Sequence, residues 1–389
     1  MKRFILIIFI LPFYVFAQDY SAFFDNYNHW TFSFYKQIID KPENQVFSPY
    51  FTYNAAAFLY YATTHGTFKQ VINTFNYAND KKLQSAYFKR LIQIIKNFNS
   101  IQTHFKYAMC LFYEDSLRDK LSETYKQQIK FLLNDTLIPV DFTKSKNQIA
   151  DDINKYLKNK GFEDIITPDF LDENISLFLI SASEFTGQWQ NPFTAIVYHP
   201  FILDNEGRKT KPILYYTIDD YFEYTESEKF QIIQLPYKDR HFAMQIILPK
   251  KNYDIQDFDT IFTYDDYLLW TSTMQRKRIR LLLPAFTIKT TVPLNDKLNK
   301  FMFSVFSKGG YFLNMIHKLV HLNQFLIFTK LSVTSEVQNL PPLKIDIYKE
   351  ADKTGATIMD INHPFFFLIK NKETNSIIFM GHFYRPEIY

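Results

Sequence analysis

The sequence predicts an α+β fold, and three observations point to it. Apolar residues recur at helical spacing through most of the first 160 positions. From about residue 175 onward the pattern changes to short apolar or alternating runs of strand length, separated by charged turns. Glycine is scarce, with 8 in 389 residues, and no linker-like stretch divides the chain; a chain this size could hold two domains, but a single large α+β domain also reaches it. A large core is available, because 47% of residues are hydrophobic and 42 are Phe and 27 Tyr. That core must carry the stability, since the single cysteine, Cys110, allows no internal disulfide.

The chain opens Met1-Lys2-Arg3 and continues with an apolar run to Ala17 that contains Pro12. Two positive charges, a short apolar run and a small residue predict a secretory signal at 1–17, removed after Ala17 to leave a domain at 18–389. The run is shorter than the roughly 20 residues of a membrane span. A secreted protein, extracellular or periplasmic, is therefore expected. Without Lys2 and Arg3, the 44 basic residues become 42 against 40 acidic ones, a net of +2. Mixed charges so close to balance call for neither nucleic acid nor an anionic membrane as partner.

The helices follow in order. Trp30 to Ile39 has helical spacing and stops near Pro42; Tyr53 to Tyr61 and Phe68 to Phe75 read as two more. Asp80 to Phe98 is amphipathic with Asp80 as its cap, and Lys144 to Lys160 carries the stripe Ile149, Ile153, Tyr156, Leu157. Ile175 to Ala182 is an apolar run typical of a buried strand. Phe230–Tyr237 and Phe242–Pro249 form a pair across the turn Lys238-Asp239-Arg240. Arg278 to Phe286 reads alike. Pro364–Ile369 and Ser376–Gly381 make a closing hairpin across Lys370–Asn375.

No constellation supports an enzyme. There is no Gly-x-Ser-x-Gly elbow and no glycine-rich phosphate loop. His317 and His321 stand at i and i+4, but the glutamate base of a zinc hydrolase is replaced by Lys318 and a third ligand is missing. Cys110 lies in an apolar stretch and reads as a buried, inert thiol. Asp219-Asp220 and Asp265-Asp266 sit in polar runs and read as solvated loops. No metal and no cofactor is implied.

An ordered set of motifs resembles the serpin family. Trp30 to Tyr35 followed by Phe47-Ser48-Pro49, then Val140-Asp141-Phe142 and Ile153-Asn154, are similar to its N-terminal half. Phe185-Thr-Gly187-Gln-Trp189-Gln-Asn-Pro192-Phe193, Leu235-Pro236-Tyr237, Ile247-Leu248-Pro249-Lys250, Leu283-Pro284-Ala-Phe286 and His363-Pro364-Phe365 through Phe379-Met380-Gly381 to Pro386 follow in family order. The resemblance spans about 350 residues and implies a single domain of three β-sheets and eight or nine helices, monomeric, with an exposed reactive loop. It implies a suicide substrate for a serine or cysteine protease. The protease cleaves the loop, the loop inserts as a new strand, and the acylated protease is dragged along and distorted. Cleavage then releases free energy stored in a kinetically trapped native state.

The resemblance implies that the loop starts at Thr334 and ends just before Pro364-Phe365, with the scissile bond about ten residues before that proline, near Lys353-Thr354; Lys353 would suit a trypsin-like pocket, and Lys349 is the next candidate. The hinge has two placements. One, counting back from Pro364, covers Thr334 to Pro342, keeps only Glu336 of the family pattern and contains Pro341 and Pro342, which lack the donors a central strand needs. The other counts forward from His317-Lys318 and falls on the bulky run Phe325–Lys330. Neither has the small residues of the family hinge, although Leu343, Ile345 and Ile347 alternate as a strand does. The region over which the sheet opens is expected around Ser48, Ser181, Trp189 and His317. Two functions stay open: a secreted protease inhibitor, or a non-inhibitory member used as a binding or substrate-like module.

Overall fold

The computed structural model describes residues 20–39, 43–133, 137–172, 175–203, 210–250, 255, 262–333, 340, 342, 348 and 354–386. The helices among them are α1 (Ser21–Ile38), α2 (Pro49–Ala55), α3 (Ala57–Ala62), α4 (His65–Phe75), α5 (Lys81–Phe98), α6 (Glu123–Leu133), α7 (Lys146–Lys158), α8 (Tyr264–Thr271) and α9 (Leu294–Phe306). The strands are β1 (Gln45–Phe47), β2 (Thr103–Glu114), β3 (Leu137–Val140), β4 (Leu177–Gly187), β5 (Ala195–Ile202), β6 (Thr210–Glu226), β7 (Phe230–Pro236), β8 (Phe242–Pro249), β9 (Gln275–Pro284), β10 (Phe286–Pro293), β11 (Leu322–Val333), β12 (Thr357–Asp360), β13 (Phe365–Asn371) and β14 (Ile377–Phe383).

The helices form where their apolar faces meet a sheet. α1 buries Phe23, Tyr27, Trp30 and Phe34, and the Tyr27 hydroxyl donates to the Ile377 carbonyl at 2.7 Å. The helix expected over Tyr53–Tyr61 breaks at Ala56 into α2 and α3, which are buried on every side. Asp80 caps α5 as expected, accepting from the amides of Lys82 and Leu83.

A five-stranded sheet runs β10-β11-β4-β2-β3. Its inner face, with Leu179, Phe185, Phe325 and Leu331, joins the main aromatic core. Its outer face, with Cys110, Phe178, Ile180 and Leu326, is covered by Ile149, Ile153 and Leu157 of α7, the stripe read from the sequence. The other strands form one hydrogen-bonded network centred on the 17-residue β6. β6 pairs with β5 through Thr210 to Thr217 and with β9 through Tyr215 to Tyr224, and β12 adds to β9. Its last four residues pair with β7, and the order continues through β8, β13 and β14 to β1. Where three sheets are expected, the described strands form two hydrogen-bonded networks, the larger joining two parts through β6.

Several local expectations give way to long-range pairing. The 12-residue β2 lies inside the half that read as helical, and α9 inside the half that read as strands. Asp219 is no solvated loop residue. It lies on β6, half-shielded, and its carboxylate accepts from Arg278 Nε at 2.8 Å and Arg280 at 2.6 Å on neighbouring β9. Asp266 closes a capping box with Thr263 at the start of α8. The run Leu343–Ile347 lies outside the described residues.

Candidate functional site

The five-stranded sheet has one unusual junction. β10–β11 and β4–β2 are antiparallel, whereas β11 and β4 lie side by side in parallel, from Leu322 opposite Leu177 to Leu331 opposite Phe185. A further strand running the opposite way could sit between them and make an antiparallel ladder on both sides. The segment that leaves β11 after Val333 is the one expected to be the loop. It reaches the other network at β12, and its described residues lie away from this junction.

Each residue expected at the opening region has a definite place. Ser48 caps α2, accepting from the Phe51 amide at 3.3 Å and donating to the Ile378 carbonyl at 2.6 Å. Ser181 lies on the inner face of β4 opposite Ile327, fully buried, and its hydroxyl has no partner among the described residues. Below it, α2 adds three more unpartnered buried atoms, the Tyr50 hydroxyl, Thr52 Oγ1 and Asn54 Oδ1. Ser183 reaches Thr329 across the junction, with hydroxyls 3.4 Å apart. The polar cluster around Ser48 and Ser181 is thus partly bonded, through Ser48 and Ser183, and partly without partners among the described residues, at Ser181, Tyr50, Thr52 and Asn54 Oδ1. Trp189, just beyond the end of β4, stacks on Tyr237 at 4.6 Å. Gly187 permits that approach, since a Cβ there would lie 2.6 Å from the Tyr237 ring.

His317 is not brought to the junction. It is exposed in the turn that precedes β11. The hinge placement that counts forward from His317 falls on Phe325–Lys330, which the structure puts inside β11, paired with both β4 and β10. Of the other placement, Glu336 and Pro341 lie outside the described residues, as does Lys353.

The described loop residues touch the body at separate points. Leu340 is partly buried against the main core, and exposed Pro342 bridges to Ile196 on β5. The Tyr348 hydroxyl donates to Asp360 at 2.7 Å. The same carboxylate oxygen meets His199 at 2.9 Å and the Asn362 amide at 2.7 Å. Arg278 donates to the Thr354 carbonyl at 3.4 Å, and Gly355 takes a left-handed φ of +67° before β12 begins. Asp360 and Tyr348 carry no sequence signal, being joined across strands and a loop.

On the outer face of the junction, Glu184 of β4 stands opposite Lys330 of β11 on one side and Lys106 of β2 on the other. The contacts are 2.8 Å and 3.0 Å. Burial raises the Glu184 carboxyl, and hydrogen bonds and charge from Lys330 and Lys106 more than reverse this, holding it below the usual carboxylate range. The signal that could have found it is a lone acid in an apolar strand. Cys110 is buried as expected, its thiol pushed up to about 12 by burial. Among the described residues no group of His, Cys, Asp and Glu could hold a metal ion.

The family model of serpins (serine protease inhibitor) matches residues 25–386. The chain belongs to the serpin family. This serpin is 27% identical to an uncharacterized serpin-like protein of Methanosarcina acetivorans, over 92% of this chain and 85% of that one. It is 24% identical to human neuroserpin, over 89% of this chain and 87% of the other. Among solved structures it resembles uncleaved ovalbumin, with a TM-score of 0.82 and 20% identity over 93% of this chain and 99% of that one. It also resembles Serpin48 of the insect Tenebrio molitor, with a TM-score of 0.81 and 16% identity over 95% and 100% of the two chains. Among the described residues no helix is long and apolar enough to cross a membrane.

Proposed function

We propose that this serpin is a secreted protease inhibitor of the suicide-substrate type. A signal at 1–17 is removed, and the domain at 18–389 presents Lys353-Thr354 as its reactive bond to a trypsin-like protease. The observation that carries this reading is the parallel β4–β11 junction, with the loop leaving directly from β11. Nothing lies between β4 and β11, and a strand inserted there would gain two ladders of hydrogen bonds at once. Thr354 stands three residues before β12 begins at Thr357.

The hinge then lies in Glu336 to Pro342. After Val333, a hairpin turn of roughly two to five residues would bring Pro341 and Pro342 opposite Ile327 to Leu331, well inside the junction. Each proline withholds a donor from a strand it would join, which costs on the order of 1–3 kcal/mol. This favours a second reading, a non-inhibitory serpin that uses the loop for binding. Leu343, Ile345 and Ile347 follow the prolines with the alternation that insertion needs, and on that ground inhibition is preferred.

The test is to incubate residues 18–389 with trypsin and run a denaturing gel. A covalent complex with cleavage after Lys353 supports the reading. Cleavage there with free, active trypsin and no complex rejects it for trypsin-like enzymes.

A further inference from the structure

We propose that Lys330 and Glu184 form a latch that governs how fast β4 and β11 separate. The proposal rests on the reading that a strand inserts between them. Adjacent strands lie about 4.8 Å apart, and insertion doubles that separation to roughly 9.6 Å. The 2.8 Å contact between Lys330 Nζ and Glu184 Oε1 spans this one junction and must break. The 3.0 Å contact between Lys106 and Glu184 spans β2–β4, which move together, and it survives.

Two features make the break costly. The triad is partly shielded: the Glu184 side chain is 15% exposed, and Lys330 and Lys106 are 29% and 30% exposed. Phe162, from the segment after α7, lies over it, 5.7 Å from the Lys106 ammonium and packed edge-on to Phe328 at 6.0 Å. Nothing on the incoming strand replaces the lost partner. If Leu343, Ile345 and Ile347 face the core, the residue set beside Lys330 on the outer face is Leu340 or Pro342, and neither carries charge. A half-shielded pair is therefore given up before the new ladder forms, so its loss raises the barrier as well as the end state, and only the ladder gained later offsets it.

Hydrogen exchange on the intact protein tests this, with variants K330M, K106M and K330R. K330M is expected to speed exchange of the β11 and β4 amides from Leu326 to Lys330 and Ala182 to Phe185 about tenfold, the loss expected for one charge-assisted bond. K106M removes a bond of similar length from a junction that stays closed, and K330R keeps the charge. Both should leave those amides within about twofold of the parent. Equal acceleration by K106M and K330M, or none by either, overturns the latch. The rate at which the protease-cleaved protein becomes heat-stable is measured in parallel. If the parent gains heat stability and K330M does so no faster, the latch is wrong while insertion stands. If no variant gains it, the insertion reading fails, and the latch as a governor of insertion falls with it.

Discussion

Tyr348 in the loop donates its hydroxyl to Asp360 at the end of β12, 2.7 Å away, on the same carboxylate oxygen that meets His199 and Asn362. This fastens the loop to the body a few residues before the predicted reactive bond. A hydrogen bond to a charged group contributes about 1.5 kcal/mol where it is shielded and less where, as here, the donor is exposed. Y348F should raise the rate of limited proteolysis within the loop severalfold and leave cleavage elsewhere unchanged. An unchanged loop rate would show that Tyr348 restrains nothing.

Ser48 and Ser181 should respond to alanine with opposite signs. Ser48 caps a helix and donates to a buried carbonyl, so S48A should lower stability to urea by about 1–2 kcal/mol. Ser181 buries a hydroxyl without a partner among the described residues, so S181A should be neutral or stabilising by up to about 1 kcal/mol. A large loss from S181A would mean that the hydroxyl is satisfied.

Lys370 has its ammonium pushed down to about 8 by burial and by nearby Lys372. The unfolded chain, with a lysine pKa of about 10.4, holds this proton more tightly than the fold does. Stability therefore rises with pH between about 8 and 10.4, and the penalty is full below 8. Because the side chain is only half-buried, the effect is on the order of 1 kcal/mol. K370M should raise the neutral-pH melting temperature, with the gain vanishing near pH 10. A constant gain across that range would point to packing instead of charge.

The prolines offer a direct test of the hinge. Replacing both Pro341 and Pro342 with alanine restores two donors and widens the accessible φ. The double variant should form covalent complex faster and with less loop consumed as plain substrate. No change in either quantity would move the hinge elsewhere.

Much of this fold was legible because its elements follow local rules. Asp80 and the α7 stripe carry their capping and periodicity on the surface of the sequence. β11 was not legible as a strand. Its first half, Leu322 to Ile327, is buried on both faces and shows no alternation, so the run reads equally as a bulky hinge. Its neighbour β4 is about 146 residues away in the chain, and no local pattern states that the two pair in parallel. The Lys106–Glu184–Lys330 triad was hidden for the same reason. His317 was drawn into the site by its resemblance to a motif, whereas the turn before β11 leaves it in solvent.

The most direct measurement is a pair of thermal melts, on the intact protein and on the protein cleaved in its loop. Insertion between β4 and β11 predicts that the cleaved form melts far above the intact one, by tens of degrees, since an added central strand contributes two ladders and buries Leu343, Ile345 and Ile347. A cleaved form that melts at or below the intact protein would contradict the account, leaving a serpin whose loop is presented but never enters the sheet.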